Sequence, residues 1–212
     1  MPAKPSRKRP NPQLKQPVQE RSRFTVASIL EAAVQVFEEH GHAAGTTARI
    51  AERAGISVGS LYQYFRNKDA ILVALAERHL DDAEAQARRL LDAAAGGARW
   101  PLESLLEALV AAFLALHQQH PGLHRLLYEG GLLPEQTRGR LRQIERRYGE
   151  ELAVVLARHP EVRRGDAELQ AWFVIQMLEH FTHRLVLEPP ARKLRPAVAG
   201  ELKTVLLRYL KG

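Results

Sequence analysis

The chain has 212 residues, 45% hydrophobic and 26% charged, with a net charge of +7 and no cysteine. Disulfides, thiolate catalysis and cysteine-held zinc are thereby excluded, and a reducing cytoplasm is the expected compartment. No run of about 18 apolar residues is present to span a membrane, and the basic, proline-rich start has no apolar segment behind it, so it does not read as a secretory signal.

The first 23 residues carry Lys4, Arg7, Lys8, Arg9, Lys15, Arg21 and Arg23 against Glu20 alone, which places most of the net charge in a tenth of the chain. That asymmetry reads either as a solvated tail or as an arm that meets a polyanion. Five prolines (Pro2, Pro5, Pro10, Pro12 and Pro17) predict an extended, disordered arm over residues 1–22 in both cases.

From residue 23 the chain reads as helix after helix. Phe24, Ala27, Ile29, Leu30, Ala33, Val34 and Phe37 recur at three- and four-residue steps and predict a helix that Gly41 stops in a left-handed conformation. Two short helices follow, Thr47–Ala54 and about Val58–Tyr64, and then a long one from Lys68 past Leu90. After the Gly96–Pro101 break, Leu102, Leu105, Leu106, Leu109, Val110, Phe113 and Leu116 line one face of a further helix that must end before Pro121. A short segment (123–129), a charged helix over about 134–158, a helix capped by Asp166 and running to Leu187, and a last helix with Pro196 in its first turn complete the chain. Strand patterns and fixed-period repeats are missing. The expectation is an all-α protein of about nine helices: a helix-turn-helix unit over 23–68 and a larger bundle over 69–212.

The segment from Gly41 to Lys68 carries the chemistry. Thr47 can cap the first short helix, with Ile50, Ala51 and Ala54 facing inward; Gly55 permits the sharp turn; Ile56 plugs the corner; Ser57 caps the second helix and leaves its first-turn amides pointing outward, as a phosphate requires. Leu61 and Phe65 face the core, whereas Val58, Gly59, Ser60, Tyr62, Gln63 and Tyr64 are small or hydrogen-bonding. An ordinary solvent-facing helix would carry Glu and Lys there. A bare helix front lets the backbone approach base edges closely.

These residues resemble the DNA-binding signature of the TetR (tetracycline-repressor-like) family. The likeness covers about residues 23–75 and rests on Thr46-Thr47, Ile50-Ala51, Ala54-Gly55-Ile56-Ser57, Gly59-Ser60-Leu61-Tyr62-Gln63-Tyr64-Phe65 and Lys68-Asp69. The resemblance implies that Thr47 and Ser57 bond phosphates, that Val58, Gly59 and Ser60 lie at the major-groove floor, that Tyr62 and Tyr64 reach the backbone, that Gln63 meets a base or phosphate, and that Lys68 meets a phosphate. Residues 24–68 balance Arg49, Arg53, Arg66 and Lys68 against Glu31, Glu38, Glu39 and Glu52, so the basic arm is expected to supply the missing attraction to DNA.

The resemblance further implies a C-terminal bundle that senses a small molecule and dimerises through the last two helices, with repression as the usual mode. Trp172, Phe173, Val174, Ile175, Met177, Leu178 and Phe181 spread round more than one helix face, as expected if one face meets the core and another a partner chain. A twofold dimer reads two half-sites about 34–36 Å apart, or a multiple, and a ligand tilting the long helix from Lys68 would change that spacing. Phe113, His117, Trp172, Gln176, Met177 and His180 are the candidate pocket residues, an apolar wall with polar handles.

Other chemistries lack their motifs. The stretch from Gly55 to Ser60 has no Walker lysine, and no G-x-S-x-G elbow or supported carboxylate pair exists, so neither catalytic residues nor a cofactor are expected. His117, His120 and His124, and likewise Glu179, His180 and His183, are loosely spaced like metal ligands. Pro121 interrupts the first set, neither set is H-E-x-x-H, and no metal is expected. A DNA-binding regulator or architectural protein controlled by a protein partner, with no small-molecule ligand, remains the alternative reading.

Overall fold

The computed structural model describes residues 15–95, 100–118, 120–129, 131–188 and 195–212. The described residues form nine helices and no strand: α1 (Lys15–Ala44), α2 (Thr47–Arg53), α3 (Val58–Tyr62), α4 (Lys68–Ala95), α5 (Leu102–Gln118), α6 (Pro121–Glu129), α7 (Glu135–Arg158), α8 (Ala167–Leu187) and α9 (Arg195–Lys211). They fall into two compact units that divide between Ile71 and Leu72. Among the described residues, no helix is long and apolar enough to cross a membrane.

In the first unit α1 is helical from Lys15, so residues 15–22 do not form the extended arm that the prolines predicted. Pro17 causes no break because it stands in the first turn, where its missing N–H has no helical acceptor. The rest of that arm, with Lys4, Arg7, Lys8 and Arg9, lies outside the described residues. Gly41 interrupts α1 at φ 69°, ψ 170°: the positive φ is as expected, but ψ lies outside the left-handed helical region, and one further turn follows to Ala44. Ile29, Ala33 and Val34 are buried along α1 with Phe37, and Ile50, Ala51 and Leu61 are buried on α2 and α3. Gly45 is dictated by packing: a Cβ there would stand 2.6 Å from Phe37 Cδ1 and 2.9 Å from the Gly41 carbonyl oxygen.

The second unit has one apolar core. Leu105, Leu106 and Leu109 of α5, Ile144, Tyr148, Leu152 and Leu156 of α7, Val174 and Leu178 of α8, and Leu202, Leu206 and Leu210 of α9 recur at helical steps and meet in it. Asp166 accepts from Leu169 N at 3.0 Å and caps α8 as the sequence predicts. Pro121 opens α6 instead of a loop, again as a first-turn proline. The Glu161 carboxylate accepts from Leu102 N at 3.0 Å and so satisfies one of the free amides at the start of α5.

Charge pairs bind α4 to α7. Arg140 reaches Glu77 at 2.5 Å, Asp81 at 2.6 Å and Glu84 at 3.3 Å, while Arg147 pairs with Glu84 as well. The Tyr148 hydroxyl donates to the Glu84 carbonyl at 3.0 Å.

Candidate nucleic-acid interface and inner cavity

Two residues set the entry to α2. Thr46, not Thr47, is the N-cap, with its hydroxyl oxygen accepting from Arg49 N at 3.3 Å. The adjacent threonines are indistinguishable by type, and the extended φ/ψ at Thr46 decides between them. Thr47 is freed for another contact: its hydroxyl lies 3.2 Å from the Tyr62 hydroxyl, which links α2 to α3.

The turn and the second helix follow the predicted logic. Gly55 takes φ 70°. Ser57 caps α3 by accepting from Ser60 N at 3.0 Å, and the two serine hydroxyls are 2.8 Å apart. The helix ends at Tyr62, two residues before the expected Tyr64, so Gln63 and Tyr64 sit in the turn that leaves α3. Val58 is 39% exposed and Tyr62 52% exposed, with Gln63 and Tyr64 exposed beside them and Ser60 half-buried.

Gly59 contrasts with Gly45. A Cβ at Gly59 would meet only Ser57 Oγ at 3.8 Å, an ordinary contact. Nothing among the described residues requires a bare position there. The front of α3 is open at this position.

Two ties hold this geometry. Arg53 donates to both oxygens of Glu39 at 2.6 and 2.7 Å and to Gln35 at 3.2 Å, fixing α2 against α1. Lys68 donates to the carbonyl oxygens of His42 at 2.6 Å and Ala43 at 3.0 Å. Two of the three Lys68 donors thus serve the end of α1, and the residue is half-buried. Asn67, which sequence reasoning passed over, accepts from Ala70 N at 2.8 Å and caps α4; an Asn just before an apolar run was the available signal.

The six predicted pocket residues are not gathered in one place. A cavity of about 100 Å³ lies inside the second unit, lined by Leu80, Leu91, Phe113, Tyr148, Ile175 and Glu179, among others. Of the six, Phe113 alone lines it. His117 is buried beside it, with 1% exposure. Trp172 and Gln176 face an open groove between α7 and α8, His180 is exposed, and Met177 packs against the core. Helical periodicity places these side chains on helices but does not say which side of α8 turns inward. Gln86, Glu145 and Glu179 are polar handles of the cavity that the sequence reading missed as pocket residues; burial, then the charge of Glu145, pushes the Glu179 carboxyl up to about 7.

Four imidazoles cluster in the same unit. His117 of α5, His124 of α6 and His183 of α8 each offer a ring nitrogen, and these atoms lie within 4.8 Å of one another. The ring of His79 of α4 stands 5.8 Å from that of His124 and 6.1 Å from that of His117. Burial lowers all four, and neighbouring imidazoles add to this at His79, His124 and His183; His79 and His183 come to about 4. Pro121, an interruption in the sequence pattern, is what brings His117 and His124 together: it starts a new helix, and the two rings meet edge to face at 4.3 Å.

Comparison with known proteins is consistent in both parts of the chain. The family profile for bacterial regulatory proteins of the tetR family matches residues 29–75, and that for the tetracyclin repressor-like C-terminal domain matches residues 101–210. The HTH-type transcriptional repressor KstR2 of Mycobacterium tuberculosis is 37% identical over 92 residues, 43% of this chain and 44% of that protein. The match to this curated relative therefore spans less than half of its length. Among solved structures, a TetR/AcrR-family transcriptional regulator of Thermobifida fusca superposes with a TM-score of 0.67 at 21% identity, covering 86% of this chain and 96% of that one. FadR of Bacillus subtilis in complex with stearoyl-CoA gives a TM-score of 0.64 at 19% identity over 85% of this chain and 97% of that one. At these identities the solved structures speak to fold alone.

Proposed function

Since the chain belongs to the tetracycline-repressor-like family of bacterial transcriptional regulators, we propose that it is a ligand-responsive repressor that grips a pseudo-palindromic operator as a homodimer. The observation that carries the reading is the front of α3: capped by Ser57, bare at Gly59 without internal cause, and flanked by exposed Val58, Tyr62 and Tyr64. In this reading Gly59 and Ser60 approach base edges in the major groove, Val58 offers a methyl group to thymine, and Gln63 reaches a base or phosphate. Tyr62, Tyr64 and Thr47 serve the sugar–phosphate backbone, and the amides at the start of α3 face a phosphate.

Dimerisation is assigned to the last two helices. Leu169 and Trp172 on α8, and Phe181 further along it, are exposed at 55%, 58% and 43%, with Val205 of α9 at 47%. Ala171, Val174 and Leu178 of the same α8 are buried, so that helix has an inner and an outer apolar face. The effector is assigned to the cavity beside Phe113 and Glu179: a largely apolar molecule with one polar group. The acyl-CoA complex of the Bacillus subtilis neighbour is in keeping with an apolar ligand for this architecture. Release from DNA then follows as a population shift toward the arrangement the ligand prefers.

Selection of bound fragments from random double-stranded DNA tests the reading. Recovery of a two-fold symmetric site, with half-sites separated by about one turn or a multiple, is the expected result. Purified protein with no preference for any duplex sequence over competitor, with or without apolar effectors, overturns it.

A further inference from the structure

From the buried histidine cluster of the second unit, we propose that His117, His124 and His183 form a binding site for a divalent first-row transition metal ion of the Zn²⁺ type. The three side chains come from α5, α6 and α8 and present ring nitrogens within 4.8 Å of one another. Three imidazole nitrogens around one point select zinc, copper or nickel over magnesium and calcium, which take oxygen ligands. Bonds of about 2.0–2.1 Å put tetrahedral ligand nitrogens roughly 3.4 Å apart, so the widest pair closes by at most about 1.4 Å. Small side-chain rotations accomplish that.

His117 is prepared for this role. Its Nδ1 lies 2.6 Å from the Phe113 carbonyl oxygen, which can only accept, so the proton is on Nδ1 and the lone pair on Nε2. The outer hydrogen bond fixes tautomer and ring orientation in the way metal-bound histidines use a backbone carbonyl. Nε2 itself makes no hydrogen bond although the residue is 1% exposed; the Glu179 carboxylate lies 3.9 Å from it and can balance the charge of an ion.

The other two ligands face each other, His124 Nε2 being 3.1 Å from His183 Nδ1. One of these rings now donates to the other. When an ion enters, that hydrogen moves to the far nitrogen of its own ring, so both lone pairs point inward and no net proton is released. The neutral ring is the form that binds metal. His183 is half-buried and gives the ion an approach from solvent, and three protein nitrogens leave a fourth position for an exogenous ligand. An occupied site would pin the α5–α6 corner to α8.

The full-length chain, freed of metal by a chelator, is titrated with Zn²⁺ against a chromophoric competitor, and with Co²⁺ while the visible spectrum is recorded. The expected outcome is one equivalent of Zn²⁺ per chain, a rise in Tm on binding, and at least about a hundredfold weaker binding in His124→Asn and His183→Asn. Binding that is no stronger in the wild type than in these variants overturns the site and assigns any uptake to the exposed histidines. Should the variants lose their helical circular dichroism, zinc-edge X-ray absorption of the wild-type complex decides: three imidazole nitrogens at about 2.0–2.1 Å support the proposal, and an oxygen-dominated shell removes it.

Discussion

Lys68 Nζ donates to the His42 carbonyl oxygen at 2.6 Å, which ties the first residue of α4 to the last turn of α1. A positive charge at the carbonyl end of a helix stabilises it twice, through the hydrogen bonds and through the helix dipole. Lys68→Met is therefore expected to lower the unfolding free energy by about 1–2 kcal/mol, read by chemical denaturation. Operator affinity should fall in parallel. A variant with weakened affinity at unchanged stability would return Lys68 to a direct phosphate contact.

The two glycines should respond in opposite ways. Gly59→Ala is expected to leave stability intact, since only Ser57 Oγ stands near the new methyl group, and to weaken operator binding at least tenfold in fluorescence anisotropy. Gly45→Ala is expected to cost about 1–3 kcal/mol of stability by overpacking against Phe37 and the Gly41 carbonyl. Equal operator affinity for Gly59→Ala and wild type would show that the front of α3 does not approach DNA closely.

Deletion of residues 1–14 removes Lys4, Arg7, Lys8 and Arg9. If those groups neutralise phosphates, the slope of log K against log salt falls in magnitude by about 0.9 for each phosphate no longer neutralised. The measurement is a salt series on full-length and shortened chains with the selected operator, and an unchanged slope assigns the basic start no role at the duplex.

The Arg140 network makes the second unit sensitive to acid. The Arg147 guanidinium, then Arg140, holds the Glu84 carboxyl below its usual value. A carboxylate lowered in the folded state contributes stability that is complete above its unfolded pKa and drains away as pH falls through the folded value. Arg140→Met is expected to remove about 1 kcal/mol at neutral pH, with a smaller difference from wild type as Glu84 protonates. Denaturation midpoints at neutral and acid pH check both parts.

Trp172→Glu places a charge on the exposed face of α8 without touching the buried residues of the same helix. Sedimentation should show monomers with native helical content and a loss of operator affinity. Retention of the dimer would move the interface elsewhere.

How much of this was legible in the residues depends on the range of the interactions involved. The break at Gly41, the Ser57 and Asp166 caps and the turn at Gly55 are local, set by one or two side chains against their own backbone, and they read directly. Thr46 takes the cap expected of Thr47 because two adjacent hydroxyls compete for it and only backbone angles separate them. The predicted pocket mixes an inward residue, Phe113, with an outward one, Trp172, because a helix that is apolar on two sides does not declare its inner one. His117, His124 and His183 are least legible. Their meeting depends on where α6 turns after Pro121 and how α8 packs there, neither of which is written in the spacing of histidines.

The hydroxyl contact between Thr47 and Tyr62 bears on the thermodynamics of recognition. A hydroxyl contact at its tip restricts the rotation of this exposed tyrosine before any duplex arrives, so less remains to be frozen on association. Replacing Thr47 with valine would loosen that ring without shortening it. The unanchored variant should then bind the operator with a less favourable entropy, measurable by calorimetry, on top of the enthalpy lost with the Thr47 backbone contact.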